Sequence, residues 1–370
     1  MLFLYYYIGE NFMGKVTAKQ LAQCAGVSQA TVSLVLRGKP GVSEKERMRI
    51  LKLADEMGLK RPMRMLQNQT SGLLQLILYK RHGKVIGDTL FFERLTQGVT
   101  EEAHALGYDL SVRYFYGSQP TDEQIRAIQS EPCEGIILLA TEMHTADMSP
   151  FEKLKCPIVL LDNYFPSLHY DSVVIDNLYG AWRAVRYLID CGHTRLGYLH
   201  SSVEIRNFRE RQSGYLSALH ALPEEAARDA ARRIVRLTPT EEEARADMEA
   251  YLRRDPLLPT AFFADNDRIA AGACEALLRF GYRIPQDVSV IGFDDSSIST
   301  ALTPPLTTMQ VQKQRLGALA VDRLHTRLQK NVPETLREAL VPEVLVRESV
   351  LDRRNPPDRS MCFQRDRSHF

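Results

Sequence analysis

The sequence predicts an α/β protein: a small head of three helices, then a body of two doubly wound parallel sheets. Three observations carry this reading. Residues 16–57 show helical spacing broken by one tight turn. From residue 73 onward, short apolar runs alternate with amphipathic stretches, the pattern of repeated βα units. About ten such runs fall in roughly 270 residues, more than one open sheet holds comfortably, so the body divides in two.

The head begins at Val16 with VTAKQLAQCAGVSQATVSLVL. Thr17 caps a first helix, with Gln20 at capping-box spacing. Leu21, Ala22 and Ala25 form its apolar stripe, and Gly26 supplies the bend. Ser28 caps a second helix that buries Val32 and Val35. Ser43 opens Ser-Glu-Lys-Glu46, a second capping box, and Ile50, Leu51, Ala54 and Met57 continue at helical spacing up to Gly58. Helices this short need one another. The arrangement is a helix-turn-helix, whose second helix is shaped for the major groove. From Lys15 to Arg64 there are eleven basic and four acidic residues, an excess of seven in a chain whose formal net charge is +1. A plain three-helix bundle has no reason to concentrate positive charge; a phosphate-facing surface does.

The body follows in order. Leu73–Tyr79 is a buried-strand candidate. Phe92, Leu95, Val99, Ala103 and Leu106 make a helix closed by Gly107. Strand 108–116, helix 121–130 and strands 135–140, 157–162 and 172–175 come next. Helix 178–190 ends at Gly192, where His193 reads as a turn residue and Trp182 as core. Strand 195–200, helix 209–221, strand 232–237, helix 240–253, strand 260–264, helix 267–280 and strand 288–293 continue the alternation. An extended piece at 306–309 and a long helix at 312–329 close it. Ligands of such sheets bind beyond the carboxyl ends of the strands. That rule places Asp162, the run from Asp265 to Asp267, and Asp294 at one cleft.

The 370 residues are 44% hydrophobic and 25% charged, the balance of a soluble globular protein. Six cysteines, at 24, 133, 156, 191, 274 and 362, show no metal spacing and read as small buried residues in a reducing compartment. No apolar run approaches a membrane span. The leader MLFLYYYIGENF lacks a basic start, and Met13 is an alternative first residue. The sequence has no GxSxG elbow, P-loop, HExxH or strand-borne GxGxxG, so enzyme chemistry, a metal and a cofactor are not expected.

These stretches together resemble the lactose/galactose-repressor (LacI/GalR) family of bacterial transcription regulators. The resemblance runs from about Val16 to Ser349. It rests on AGVSQATVSLVL with GVSEKERMRIL, FFERLTQGVTEEAHALGY, EGIILLA, PIVLLDN, SVVIDNLYGAWRAVRYLIDCGHTRLGYL, RERQSGYLSAL, PTAFFADNDRIAAGACEAL, IPQDVSVIGFDDSSIS and LTPPLTTMQVQKQRLGALAVDRL. It implies a periplasmic-binding-protein-like body that closes on an effector. The expected boundaries are a leader at 1–13, the helix-turn-helix at 14–61, a hinge at 62–72 and the body at 73–349. Within the body, subdomain one is 73–175 plus 306–331 and subdomain two is 176–305 plus 332–349. Residues 350–370 form a disordered tail.

The family's functional positions carry over unevenly. Gln29 and Ala30 match the two specificity positions: glutamine can pair with adenine and alanine can touch a thymine methyl. Ser33 matches a base- or sugar-contacting residue, and Thr17, Ser28 and Thr31 suit phosphate. Leu34 stands where the family usually has arginine, which puts the usual operator sequence in doubt. The hinge MRMLQNQTSG lacks the family's Ala-rich helix. Leu66 is its wedge candidate for the minor groove, with a flexible linker as the alternative. Phe91, Asp162, Arg211, Asn266 and Asp294 match the effector cleft. Their carboxylates, amide and guanidinium suit a hydroxyl-rich ligand such as a sugar or sugar phosphate. Asp267, Asp294 and Asp295 have helix capping as their alternative, and Phe92 reads as core. Arg211 and Asp294 are expected to serve the effector and not folding. The expected partners are double-stranded operator DNA, a sugar-like effector and a second copy of the chain, as a homodimer or dimer of dimers, with no membrane. The expected location is the cytoplasm, at the nucleoid. The alternatives are a purine- or nucleoside-responsive regulator and a sugar-binding transport protein, the latter at odds with the basic head.

Overall fold

The computed structural model describes residues 18–36, 42–57, 72–87, 90–330 and 333–354. Thr17, Leu66, the leader with Met13, the hinge apart from Gly72, and the tail beyond 354 lie outside them. The chain divides into two compact units.

The N-terminal unit contains α1 (Ala18–Ala25), α2 (Gln29–Leu36) and α3 (Glu44–Glu56). Gly26 turns the chain at φ +65°, a conformation that costs glycine little. Ser28 Oγ accepts from the Thr31 amide at 3.0 Å, and Ser43 Oγ accepts from the Glu46 amide at 3.3 Å. Both caps stand where the Ser-x-x spacing places them. Leu21, Ala22, Ala25, Val32, Val35, Ile50 and Ala54 make the buried core. Arg49 donates to the Ala25 carbonyl at 2.7 Å, closing the end of α1. Arg49 is thus a basic residue of the head that is committed to the fold.

The body begins with β1 (Leu73–Lys80), α4 (Leu90–Ala105), β2 (Asp109–Tyr116), α5 (Thr121–Gln129), β3 (Gly135–Leu139), β4 (Ile158–Leu161) and β5 (Asp171–Ile175). It then crosses to α6 (Asn177–Asp190), β6 (Leu196–Ser201), α7 (Arg206–Ala218), α8 (Glu224–Arg232), β7 (Ile234–Leu237), α9 (Glu241–Leu252), β8 (Ala261–Ala264), α10 (Asp267–Arg279) and β9 (Ser289–Ile291). The last elements are α11 (Ser297–Ala301), β10 (Thr308–Gln310), α12 (Lys313–Gln329), β11 (Arg337–Leu340) and β12 (Glu343–Leu345). Sheet one runs β11-β5-β4-β3-β1-β2 and sheet two runs β7-β6-β8-β9. The neighbouring strands β3–β4, β4–β5, β6–β8 and β8–β9 all pair in parallel, as buried apolar runs do.

The return of the chain differs from the expected division. Residues 306–310 do not join subdomain one: Thr307 bridges Ile291 and Gln310 bridges Asp294, extending sheet two beyond β9. Strand β11, placed with subdomain two on sequence, pairs in parallel with β5 of sheet one. The cause is a buried ion cluster. The Asp171 carboxylate accepts from Arg323 at 3.0 Å, from Arg327, and from the Leu336 amide at 2.7 Å. It thus ties α12 and the approach to β11 to the edge of β5. Within the described part of the 306–331 segment, α12 is the element that packs on β3, β4 and β5 of sheet one.

Three smaller readings also change. Helix α8, EEAARDAAR, is not among the expected elements: its apolar face is made of alanines alone (Ala226, Ala227, Ala230 and Ala231), of which Ala230 is buried. Trp182 is half-buried and stacks on Tyr179 at 5.8 Å beside exposed Leu178. The buried face of α6 is instead Ala181, Ala184, Val185 and Leu188. Small residues are buried there because α7 crosses at Gly214, where a Cβ would meet the Leu178 carbonyl at 2.2 Å. His193 is not a free turn residue: its ring bonds Thr260 Oγ1 and the Leu351 carbonyl, each at 3.0 Å, and burial lowers its pKa to about 4.

Helix α12 meets α4 through glycine. A Cβ on Gly317 would lie 2.3 Å from the Leu95 carbonyl oxygen, which is helix backbone and cannot swing away. Gly317→Ala should therefore lower unfolding stability by about 1–3 kcal/mol despite alanine's better helix propensity. Urea denaturation followed by circular dichroism measures it; a gain in stability would contradict the close approach.

Candidate functional site

A cavity of about 300 Å³ opens beyond the carboxyl ends of the strands. Subdomain one contributes Phe91 and Phe92 from α4, Thr141 after β3, Asp162 after β4, and Val85 from the loop after β1. Subdomain two contributes Asn207, Phe208 and Arg211 from α7, Asn266 and Arg268 around the start of α10, and Asp294 and Ser296–Ile298 after β9. All five effector positions expected from sequence line this one space. Asp265 and Asp267 do not. Asp265 is fully buried and accepts from the Tyr198 hydroxyl, His200 Nδ1 at 2.7 Å and the Ser201 amide at 2.6 Å. Asp267 accepts from the Thr308 hydroxyl and from the Ser296 amide at 2.7 Å. It fastens a loop rather than capping a helix. The cap of α10 is Asn266, whose Oδ1 accepts from the Ile269 amide at 2.9 Å, leaving its side-chain NH2 for the cavity.

Asp162 and Asp294 share an unusual backbone. Their φ angles are +61° and +108°, in the region L-residues avoid. Each follows the last residues of a strand, and each amide is still bonded, Asp162 to Val173 O at 2.8 Å and Asp294 to Met309 O at 2.9 Å. The chain bends sharply without losing a backbone bond, which turns the carboxylate toward the cavity. Such conformations cost about 1–3 kcal/mol each and gather at ligand sites.

Arg211 is 3% exposed and fully engaged. Its Nε donates to Asn177 Oδ1 at 2.9 Å, one terminal nitrogen donates to the Asp265 carbonyl, and the other reaches Asp294 Oδ1 at 3.2 Å. Its Cζ lies 3.7 Å from the Phe293 ring centroid, a cation–π contact. The expectation that Arg211 and Asp294 stand apart from folding is corrected: they pair with each other, and Arg211 joins α7, α6 and two strand ends. Asp162 accepts from Thr141 Oγ1 at 2.6 Å and from Asn207 Nδ2 at 3.0 Å, the second bond crossing between subdomains. Tyr164 Oη to Glu210 at 2.8 Å and Lys84 Nζ to Glu243 at 3.2 Å cross as well.

Burial pushes the Asp162 carboxyl up to about 6, against the pull of Thr141 and Arg211. Burial and the charge on Asp294 push Asp267 to about 7. Asp294 is raised by burial and held back by Arg211 and Lys313. Glu142 behaves oppositely. Burial alone would raise it, but bonds from His82 and the amides of residues 82, 83 and 86 outweigh that and bring it to about 2. Its two oxygens accept five amides of the loop 81–86, at 2.9–3.1 Å. That loop carries Val85 to the cavity wall.

Sequence reasoning missed Thr141, Asn207, Phe208, Arg268 and Ser297. Asn207 and Arg211 stand four apart on α7, so one helical face was a readable signal. Arg268 makes no hydrogen bond or close ion pair among the described residues, although the charge of Glu241 acts on it, and it brings a guanidinium to the cavity wall. In α2, Gln29 and Ala30 are exposed and Thr31, Ser33 and Leu34 half-buried. Ser28 and Thr31 join hydroxyls at 2.8 Å.

Residues 17–61 match the model for bacterial regulatory proteins of the lacI family, and residues 185–350 match a periplasmic binding protein-like domain. The chain is 30% identical to the ribose operon repressor of Escherichia coli over 349 residues, covering 90% of this chain and 99% of that one. The chain belongs to the lacI family of bacterial transcription regulators. It is also 32% identical to the regulator GalR of Salmonella typhimurium over 298 residues, covering 80% of this chain and 84% of that one. In fold it is similar to the Lac repressor dimer bound to operator and the anti-inducer ONPF, with a TM-score of 0.67, 22% identity and coverage of 91% and 100%. The transcriptional regulator CelR in complex with cellobiose matches with a TM-score of 0.67, 24% identity and coverage of 90% and 100%. Members of this family are DNA-binding regulators, not enzymes.

Two predictions follow from the geometry. Arg211→Ala leaves Asp294, Asn177 and the Asp265 carbonyl without their donor, so it should destabilise the chain by about 3–5 kcal/mol, the range for halving a buried ion pair. A melting temperature within a degree or two of the parent's would show that the guanidinium is dispensable to folding. For Asp267, the folded group holds a proton up to about 7 that the unfolded group, at 3.8, releases. Its contribution to stability is therefore present below pH 3.8 and declines as pH rises toward 7. Asp267→Asn mimics the protonated form, so the difference between variant and parent should grow in the variant's favour across that window. Denaturant titrations at stepped pH read it out; a pH-independent difference would refute the raised pKa.

Proposed function

We propose that two copies of this regulator grip a near-palindromic operator through their heads, and that a monosaccharide or its phosphate in the cavity sets operator affinity. The supporting observation is the donor set around the cavity. Asp162, Asp294 and the Asn266 amide offer acceptors and donors for vicinal hydroxyls, and Phe91 and Phe208 offer apolar faces for a sugar ring. The volume is at the small end for ligand pockets, which favours one ring over two. The similarity to a ribose operon repressor agrees with that size. Asn207–Asp162 and Lys84–Glu243 join the subdomains beside the cavity, so a ligand that shifts their closure has a route to the rest of the chain. Coupling of this kind is reciprocal: effector and operator change each other's affinity by the same factor.

On DNA, Gln29 and Ala30 read base edges, Ser33 touches a base or its sugar, Thr31, Ser28 and Thr17 meet phosphates, and Leu66 reaches the minor groove. Because Leu34 replaces a guanine-reading arginine, the operator differs from the family's usual one.

Arg268, which makes no hydrogen bond or close ion pair among the described residues, favours a second reading of the effector, a sugar phosphate rather than a free sugar. The test combines both. Duplexes selected from a random-sequence pool are titrated by fluorescence anisotropy with and without pentoses, hexoses and their phosphates. Binding should weaken steeply with salt, and one of these ligands should shift the midpoint at least several-fold. If none does, while calorimetry detects a bound sugar, cavity and operator are uncoupled. Arg268→Ala should cost a phosphorylated ligand about 1.5–3 kcal/mol and a free sugar much less. Equal losses for both would return the reading to a free sugar.

A further inference from the structure

Cys133 and Cys156 lie apart in sequence but meet in space, with 3.9 Å between their sulfurs. Cys133 stands two residues before Gly135, which opens β3, and Cys156 two residues before Ile158, which opens β4. These strands pair in parallel with Ile136 opposite Ile158, so both thiols occupy the amino end of sheet one. The effector residues gather at the carboxyl end. The pair therefore belongs to neither the cavity nor the DNA-reading helix. Both side chains are half-buried and, with Leu154 and Tyr170, pack against the edge of a core that includes Ile136 and Ile158.

The two thiols are not equivalent. A hydrogen bond from Cys133 favours the Cys156 thiolate and brings its pKa to about 7. The same bond, burial and the charge of Glu131 move Cys133 upward. A thiol poised near ambient pH attacks disulfides fastest, and a protonated neighbour in contact can then resolve the product. Among the described residues, Cys191 and Cys274 are buried without a second cysteine at hand, and Cys24 is exposed on the head.

We propose that Cys133 and Cys156 form a redox-active dithiol that closes reversibly to an intrachain disulfide by exchange with a small-molecule disulfide. The Cys156 thiolate attacks one sulfur of oxidised glutathione, forming a mixed disulfide and releasing one glutathione thiolate. Cys133 loses its proton to that thiolate and attacks Cys156 Sγ, releasing the second glutathione. Two protein thiols are oxidised, one glutathione disulfide is reduced to two thiols, and the protons balance. Closure draws the sulfurs to about 2.05 Å. It locks the entries of two neighbouring strands. Gly135, two residues from Cys133, is also the partner of Leu74, so the lock acts where β1 enters sheet one.

The full chain is equilibrated in glutathione buffers of stepped ratio, acid-quenched, alkylated and digested without reduction for mass spectrometry. The expected product is a cross-linked peptide pair carrying Cys133 and Cys156, lighter by two hydrogen atoms than the two thiol peptides. It should vanish with dithiothreitol and in both Cys133→Ala and Cys156→Ala. In Cys133→Ala, alkylation of Cys156 at neutral pH should also slow about tenfold as its pKa returns toward the ordinary 8.5. Circular dichroism confirms that each variant is folded. Absence of the cross-link at every ratio that oxidises Cys24 would overturn the proposal. So would a cross-link that appears only in urea, or an unchanged Cys156 alkylation rate in the variant.

Discussion

The guanidinium of Arg211 is the interaction on which the effector half of the body depends. A buried arginine is tolerated only when its charge is met and its N–H groups are bonded. Here Asn177, the Asp265 carbonyl and Asp294 bond it, and Phe293 covers one face. Those partners come from the start of α6 and from the ends of two adjacent strands. Satisfying one charge thus fixes the mutual position of the elements that carry Asn266, Arg268 and Asp294. The cavity is polar on this side because the fold needs a carboxylate there, and one oxygen of that carboxylate remains for a ligand.

The same logic operates in subdomain one with the charge reversed. Glu142 is buried, and the loop after β1 wraps its amides around it. A carboxylate enclosed by backbone N–H groups holds irregular chain as firmly as a helix cap does. Asp162 then bends into the cavity from the end of β4 and is steadied by Thr141. Two positive-φ carboxylates, Asp162 and Asp294, thus stand at the cavity, while the buried pair of Asp171 with Arg323 lies at the start of β5, away from it.

The parts of this molecule that were legible in sequence are those governed by local periodicity. The caps of α2 and α3, the βα alternation and the small-residue turn at Gly26 all follow from spacing alone. Phe91, Asp162, Arg211, Asn266 and Asp294 were legible through family resemblance, and strand-end placement independently pointed to three of them. Interactions between distant segments were not legible. Asp171 with Arg323 and Arg327 moves β11 to sheet one across more than 150 residues of sequence. Asp265 and Asp267 carry the same strand-end signal as Asp162, yet their partners draw them into the interior. Trp182 sat on a regular stripe, but the close crossing at Gly214 gave the buried face to alanines. Arg268 had no pattern to announce it.

The loop after β1 is fastened in two very different ways. On its own subdomain it is held by five amides to one buried carboxylate. Toward the other subdomain it is held by Lys84 and Glu243, with side chains 43% and 50% exposed. Exposed pairs of this kind contribute little and are screened by salt. Neither residue lines the cavity, so substitutions there can accumulate without altering which ligand is recognised. What they would change is the ease of closing, and hence the ligand concentration at which the regulator responds. Sensitivity and specificity are thereby placed on separate residues, and a lineage could retune its threshold for the same nutrient by drift at an ordinary surface ion pair.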